Sequence, residues 1–292
     1  MTFEQLRIFV AVAEHEHVTR AARELNLTQS ATSAAVAALE SRYAILLFDR
    51  VGRQIRLTAA GRLFLAEARA VLARTAAAEL VLADLAGLRV GSLSLAASQT
   101  VGNYWLPGFI HAFRQLYPGI KVSLVMGNTQ TVASLVREGQ ANIGFVEGEI
   151  DEPSLSISIV SEDEIALVVP AGHPWEKMQE PDIDLRTARW VLREEGSGTR
   201  SILTGMLHDT GIDISELDIA AELPTNETVR AIVEAGAGVT VMSKMIAESG
   251  LATGKLATVD YPLPRRSFFM LRHKDRYRTR AEDEFVRLVS AI

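Results

Sequence analysis

The sequence predicts an α/β protein preceded by a small helical unit, on three observations. Residues 1–57 carry three short apolar patterns of helical spacing, then two stretches that alternate apolar residues with arginine. From Thr58 a single Ala-rich helical pattern runs to about Ala86. From Ser92 onward, strand-like runs alternate with helical segments, the pattern of an α/β fold with mostly parallel sheets. A length of 292 residues fits two domains or three small ones.

The elements follow in order. Thr2 caps a first helix whose Phe3, Leu6, Phe9, Val10 and Ala13 share a face. Thr19 opens a second, residues 20–25, packed through Ala21, Ala22 and Leu25, and Asn26 suits a left-handed residue at its end. Thr28 caps a third, reaching about Tyr43 with Ala31, Ala35, Val36 and Leu39 inward. Two short helices around a tight polar turn match a helix-turn-helix. Residues 47–57 read as a two-stranded wing turning at Gly52.

In the long helix Phe64, Ala68, Val71, Thr75, Ala78, Leu82 and Leu85 recur at intervals of four and three. That seam suits a coiled coil, the alternative being an amphipathic helix packed on its own domain. Gly87 and Gly91 bracket a hinge. Strands are expected at 92–97, 121–126, 141–146, 164–169, 189–193, 218–222, 239–242 and 267–271, with helices at 104–115, 129–138, 199–208, 227–235 and 280–289. This region forms one domain or two similar lobes.

Composition narrows the chemistry. With no cysteine, disulfides, thiol nucleophiles and Cys-ligated metals are excluded. Of the six histidines only His15 and His17 lie close in sequence, and i,i+2 points them apart on a helix, so no metal site or cofactor is expected. Glu4 and Arg7 fall where a secretory apolar core would begin, and the longest uncharged stretch, from Val90 to Phe113, is broken by Gly and Pro, so a cytoplasmic location is expected. The net charge of −6 conceals an asymmetry: residues 1–62 sum to +2 and the rest to −8, with Arg50, Arg53, Arg56 and Arg62 clustered. A guanidinium-rich patch on an acidic chain suits phosphate contact.

Four polar turns join strands to helices: Ser98-Gln99-Thr100, Gly127-Asn128-Thr129-Gln130, Gly196-Ser197-Gly198-Thr199-Arg200 and Thr225-Asn226. Each brings hydroxyls and free backbone N–H groups to a helix start, which suits an anion, although each alone also suits simple capping. Glu147, Glu194 and Glu195 lie beside such turns, yet no histidine does, and no Gly-x-Ser-x-Gly, Walker or Gly-x-Gly-x-x-Gly motif occurs in its required context. An enzyme is not expected. A small-anion carrier is the rival from another class, and the N-terminal unit argues against it.

The stretches Arg20-Ala21-Ala22-Arg23-Glu24-Leu25, Thr28-Gln29-Ser30-Ala31-Thr32-Ser33, Leu39-Glu40, Leu47-Phe48-Asp49-Arg50 and Leu57-Thr58-Ala59-Ala60-Gly61 resemble the LysR-type transcriptional regulators, and the resemblance covers the whole chain. It implies a winged helix-turn-helix (1–57), a linker helix for dimerisation (58–87) and a two-lobed effector domain similar to periplasmic binding proteins (88–292, with lobes 91–161 plus 267–292 and 162–266). The third helix would enter the major groove of promoter DNA through Gln29, Ser30, Thr32 and Ser33. Arg50, Arg53 and Gln54 of the wing would meet the backbone or minor groove. Linker helices would pair antiparallel, dimers would join into a tetramer, and RNA polymerase is a further partner.

The segments Gly102–Pro107, Gly127–Gln130, Gly144–Gly148 and Arg193–Arg200 resemble a subgroup containing sulfite-responsive regulators and regulators of sulfur or carbon assimilation. Ser98, Thr100, Asn128, Thr129, Ser197, Thr199 and Arg200 would then surround a small anionic effector, sulfite first, with Glu147 and Asn226 at the rim. Glu147 would either select a protonated anion or pair with Arg200. Two departures stand out: Ala44 replaces a usual glycine, and Ala34 and Ala35 replace polar or basic residues, leaving more to thymine methyls, the wing and DNA shape.

Overall fold

A computed structural model describes residues 1–51, 54–85, 91–148, 150–178 and 182–291, with the backbone alone for Arg50, Val51, Gln54, Ala77, Leu80, Ala83, Asp84 and Leu85. The chain divides into two compact units, one built on Met1–Leu85 and one on the α/β region.

The first unit comprises α1 (Phe3–His15), α2 (Val18–Glu24), α3 (Gln29–Tyr43), the antiparallel pair β1 (Phe48–Val51) and β2 (Gln54–Leu57), and α4 (Ala59–Leu85). Thr2 and Gln5 form a reciprocal cap on α1, and Thr28 caps α3 by accepting from Ala31 N. Asn26 takes the left-handed conformation at φ 56°. The core gathers around Phe9, whose ring lies 4.8 Å from Phe64 of α4 and 5.5 Å from Phe48 of β1.

That core depends on two polar side chains and one glycine. Glu40 accepts from Leu47 N (2.7 Å) and Phe48 N (3.1 Å), fixing the entry to β1. Thr58 caps α4 through Gly61 N (2.9 Å) and donates to Leu46 O (2.9 Å). A Cβ at Gly61 would run into the Leu47 carbonyl, so the close approach of α4 to this strand requires glycine.

Three expectations for this unit change, and the one for Ala44 holds. His17, not Thr19, caps α2, its Nδ1 accepting from Arg20 N (3.4 Å). Phe3 is exposed. In α3 the inward residue is Thr32 rather than Ala31, because the Thr32 hydroxyl donates to the Thr28 carbonyl (3.0 Å) and is satisfied inside. Ala44 closes α3 at φ 51°, bearing a cost of roughly 1 kcal/mol that glycine would not. Gly52, Arg53 and Gly87 lie outside the described residues.

The second unit contains β3 (Gly91–Ser98), a π-helical turn (Val101–Trp105), α5 (Leu106–Leu116), β4 (Ile120–Gly127), α6 (Thr129–Glu138), β5 (Ile143–Val146), β6 (Leu155–Asp163), β7 (Ile165–Pro170), β8 (Arg189–Arg193), α7 (Gly198–Asp209), β9 (Asp218–Leu223), α8 (Asn226–Glu234), β10 (Thr240–Ser243), α9 (Lys244–Ala252), β11 (Leu256–Val259), β12 (Arg266–His273) and α10 (Arg280–Val289). One lobe holds a sheet of order β4-β3-β5-β12-β6. Phe113 of α5, Phe285 of α10, Phe145 and Phe268 fill one side, and Val132 and Val136 of α6 fill the other. The second lobe holds the sheet β10-β7-β11 and the pair β8-β9, bridged by Trp190 to Val239, with Trp190 fully buried.

The chain passes from the first lobe to the second between Asp163 and Ile165, and returns between Val259 and Arg266. The sheets are mixed, not mostly parallel. β3 runs parallel to β4 and β5, and β8 to β9, but the returning β12 lies antiparallel to both β5 and β6, and β7 is antiparallel to both its neighbours. Strands β6 and β11 and helix α9 were not expected from the sequence. Leu155, Ile157 and Ile159 do alternate with serines in β6, although Ile157 and Ile159 remain exposed.

One buried carboxyl makes this unit sensitive to pH. Glu282 of α10 accepts from Asn142 Nδ2 (3.0 Å), and burial pushes its pKa up to about 7 from 4.5. The folded state therefore retains a proton that the unfolded state releases. This contribution is full below pH 4.5 and is lost as pH rises through about 7, a fall of about 3 kcal/mol. Denaturant titrations between pH 4.5 and 8 will show that slope in the wild type and a flatter one in Glu282→Gln.

Candidate functional site

On the first unit, α3 presents Gln29 and Ser30 at its exposed start, while Thr32 is fully buried and Ser33 half-buried. Ser33 lines a hollow of about 400 Å³ with Val12, Val36 and Ile55. Thr32 therefore does not share the outward face with Gln29 and Ser30. The exposed positions further along α3 are Ala34, Ala37, Ala38, Ser41, Arg42 and Tyr43. Arg53 lies outside the described residues, and the strands of the wing place the backbone of Arg50 directly opposite Ile55. The last part of α4 leaves Val71, Ala78 and Leu82 exposed, whereas Phe64 and Ala68 pack into the core.

In the second unit the polar turns converge where the lobes meet. Ser98 ends β3, Thr129 starts α6, Glu147 follows β5, and all three belong to the first lobe. Ser197 and Thr199 start α7 and Asn226 starts α8, in the second. Ser98, Thr100, Thr129, Glu147, Ser197, Thr199 and Asn226 are all buried. The lobes touch backbone to backbone: a Cβ on Gly198 would lie 2.9 Å from Glu147 Cγ and 3.0 Å from Gly148 N. A Cβ on Gly148 would lie 2.8 Å from Thr129 Oγ1 and 3.3 Å from Gly198 Cα, so the starts of α6 and α7 sit within one side chain's width of that glycine. Asn128 faces Gly196 across the same gap, its Nδ2 3.1 Å from where a Cβ would be, while its Oδ1 accepts from Thr131 N (2.9 Å).

The charged residue at the centre was not among those expected from the sequence. Arg266, buried at the start of β12, places Nε and a terminal nitrogen each 2.7 Å from Asp163 Oδ2. It donates to Thr199 (3.2 Å) and Thr100 (3.4 Å) and lies 3.8 Å from Glu147. Asp163 also accepts from Ser243 (2.7 Å). Glu147 accepts from Ser98 and from Thr100 (3.0 Å). Its cationic partner is thus Arg266, not Arg200. The guanidinium of Arg200 instead meets Glu222 and the Arg193 carbonyl (2.9 Å), away from that cluster.

Asn226 is held from two sides. Arg193, itself paired with Glu194 (2.8 Å), donates to Asn226 Oδ1, and Asn226 Nδ2 donates to Thr100 (3.1 Å). Along one margin Gln99 donates to Pro224 O (2.9 Å) and accepts from Asn226 N (3.0 Å), and Asn103 and Tyr104 donate to Glu227 (3.0 and 3.2 Å). Burial, and after it the Glu227 carboxylate, raises the Tyr104 phenol above its usual range. Two hydroxyls stand apart: Thr129 Oγ1 and Ser197 Oγ are buried without a hydrogen-bond partner. Buried orphans are rare in folded proteins, and these two stand at helix starts of opposite lobes.

Among the described residues no helix is long and apolar enough to cross a membrane, and no His, Asp and Glu cluster is arranged to hold a metal. Two family profiles match the chain: the bacterial regulatory helix-turn-helix protein of the lysR family over residues 3–62, and the LysR substrate binding domain over residues 86–291. The probable RuBisCO transcriptional regulator of Cyanidioschyzon merolae (strain NIES-3377 / 10D) is 33% identical over 290 residues, spanning 97% of this chain and 96% of that protein. Full-length CbnR complexed with its target DNA matches with a TM-score of 0.72 at 24% identity, covering 100% of this chain and 99% of its own. The regulatory domain of Synechocystis PCC6803 CcmR in complex with 2-PG matches with a TM-score of 0.63 at 24% identity, covering 69% of this chain and 96% of its own. At those identities the two structures show a shared fold.

The backbone contact between the lobes sets a stability test within one helix. Gly198→Ala forces its methyl against Glu147 and Gly148 and will cost about 1–3 kcal/mol. Gly205→Ala, in the exposed interior of α7 with open space around it, will gain up to about 1 kcal/mol. Thermal unfolding of both variants will show shifts of opposite sign.

Proposed function

Because the chain belongs to the LysR family of bacterial helix-turn-helix transcriptional regulators, we propose that its promoter binding is controlled by a small oxyanion held between the lobes of its effector domain. The chain is a DNA-binding regulator with an effector-binding domain. We assign DNA binding to residues 1–57, linkage to 58–87 and effector binding to 88–292.

The observation that carries the effector is the pair of buried, partnerless hydroxyls, Thr129 and Ser197, at the starts of helices from opposite lobes. Helix starts offer free N–H groups and the positive end of the helix dipole, so an anion there gains both sets of donors. Asn128 and Thr199 join the donor set. The buried arginine is already matched by Asp163 and Glu147, so neutral donors hold the anion. Sulfite is the first candidate, then sulfate or phosphate. A phosphorylated metabolite is the second reading, favoured by the fold shared with a regulatory domain that binds 2-PG.

An anion that satisfies both hydroxyls does so only while the two helix starts remain close, and it therefore favours that arrangement of the lobes over any more open one. DNA affinity changes to the extent that the two arrangements differ in it. At the promoter, Gln29, Ser30 and Ser33 of α3 meet base edges, with Arg50, Arg53 and Gln54 of the wing on the backbone or minor groove. Thr32 supports α3 from inside. The exposed Val71, Ala78 and Leu82 fit a second α4 in an antiparallel dimer, and dimers assemble into the tetramer that acts with RNA polymerase in the cytoplasm.

Calorimetric titration of the full chain with sulfite, sulfate, phosphate and 2-PG tests this reading. Saturable binding of one of them is expected, weakened about 30-fold or more in the Thr129→Ala/Ser197→Ala double variant, with anion-free DNA affinity within about threefold of wild type. No binding by any of the four, or equal binding by the double variant, would contradict it.

A further inference from the structure

The hydroxyls in the cleft are not equivalent, because each has one hydrogen to give and the surrounding groups decide where it goes. Thr100 is saturated. Its oxygen accepts from Asn226 Nδ2 (3.1 Å) and from Arg266 (3.4 Å), so its hydrogen goes to Glu147 Oε1 (3.0 Å). Ser98 gives its hydrogen to the other Glu147 oxygen. The amide of Asn226 has one possible orientation, since Arg193 carries only donors and must face Oδ1. Thr199 differs. Its oxygen accepts from Arg266 (3.2 Å), and among the described residues no acceptor takes its hydrogen.

We propose that Arg266 is a positioning residue for effector recognition: by donating to Thr199 it turns that hydroxyl's hydrogen toward the effector, while Ser98, Thr100 and Asn226 are committed to Glu147, Arg266 and Arg193 and give the effector nothing. This inference rests on the oxyanion reading above and divides the residues that the family resemblance groups together. The effector's donors are Asn128, Thr129, Ser197 and Thr199. The other three hold the charged cluster in register. One guanidinium serves both tasks because its fork reaches Asp163, Thr100 and Thr199 at once, which a lysine ammonium on a single stem does not.

The test is a double-mutant cycle on the full chain, with whichever of sulfite, sulfate, phosphate and 2-PG the wild type binds as the calorimetric probe and circular dichroism confirming folding. Arg266→Lys keeps the charge beside Asp163 and Glu147 but gives up the bond to Thr199. Thr199→Val and Arg266→Lys are each expected to weaken binding about tenfold, and together to weaken it little further, because one acts through the other. Thr100→Ser, and Thr100→Val if it folds, are expected to stay within about threefold of wild type. Independent effects that multiply to about a hundredfold, or a loss in Thr100→Ser as large as in Thr199→Val, would overturn the assignment. Thr129→Val separates the two levels. If it weakens binding while Thr199→Val does not, the hydrogen assignment fails and the oxyanion site stands. If neither variant matters, or the wild type binds none of the four anions, the site itself fails and the assignment with it.

Discussion

Arg266 enters the boundary between the lobes on the strand that carries the chain back to the first one, and its guanidinium there meets two carboxylates and two hydroxyls. Asp163 stands on the outgoing crossing, Glu147 and Thr100 in the first lobe and Thr199 in the second, so one buried cation touches both crossings and both lobes. A buried ion cluster of this kind contributes little net stability against a well-packed apolar substitute, but breaking it by removing one partner costs about 3–5 kcal/mol. Its value here is geometric. It holds Glu147 and the start of α7 close enough for Gly148 and Gly198 to meet through their backbones.

From that constraint the chemistry of the cleft follows. The central negative charges are answered from within, which leaves the openings of α6 and α7 with neutral donors and two orphaned hydroxyls. A second row of bonds, from Gln99, Asn103 and Tyr104 to the start of α8, ties the lobes along one margin. An anion bonded to Thr129 and Ser197 would add a link between the openings of α6 and α7, next to the contact of Gly148 with Gly198 that Arg266 holds together.

How much of this the sequence disclosed depended on how local each cause is. Caps and left-handed residues act within a few positions, so Thr2, Asn26, Thr28 and Thr58 were legible, and with them α1, the turn between α2 and α3, and the start of α4. The phase of α3 was misjudged at Thr32, because a hydroxyl that bonds back to Thr28 can be buried as readily as an alanine. The four polar turns were found because each combines small residues with a helix start. The alternative that paired Arg200 with Glu147 came from the same reasoning: Arg200 is a neighbour of the turn in sequence, but in the fold it meets Glu222. Arg266 was missed because its hydrogen-bond partners lie 67, 103 and 166 residues away. Period-two alternation with Phe268 and Met270 on the buried face of β12 was the available signal.

The central claim, that an oxyanion bridges the lobes through Thr129, Ser197 and Thr199 and leaves Arg266 paired with Asp163 and Glu147, is tested most directly by crystal structures of the full chain soaked with each of sulfite, sulfate, phosphate and 2-PG. The account predicts density for one of these anions between the starts of α6 and α7, within hydrogen-bond distance of those three hydroxyls and beyond it from Ser98 and Thr100. An anion seated on Arg266 with Glu147 displaced, or no anion between the lobes, would contradict it.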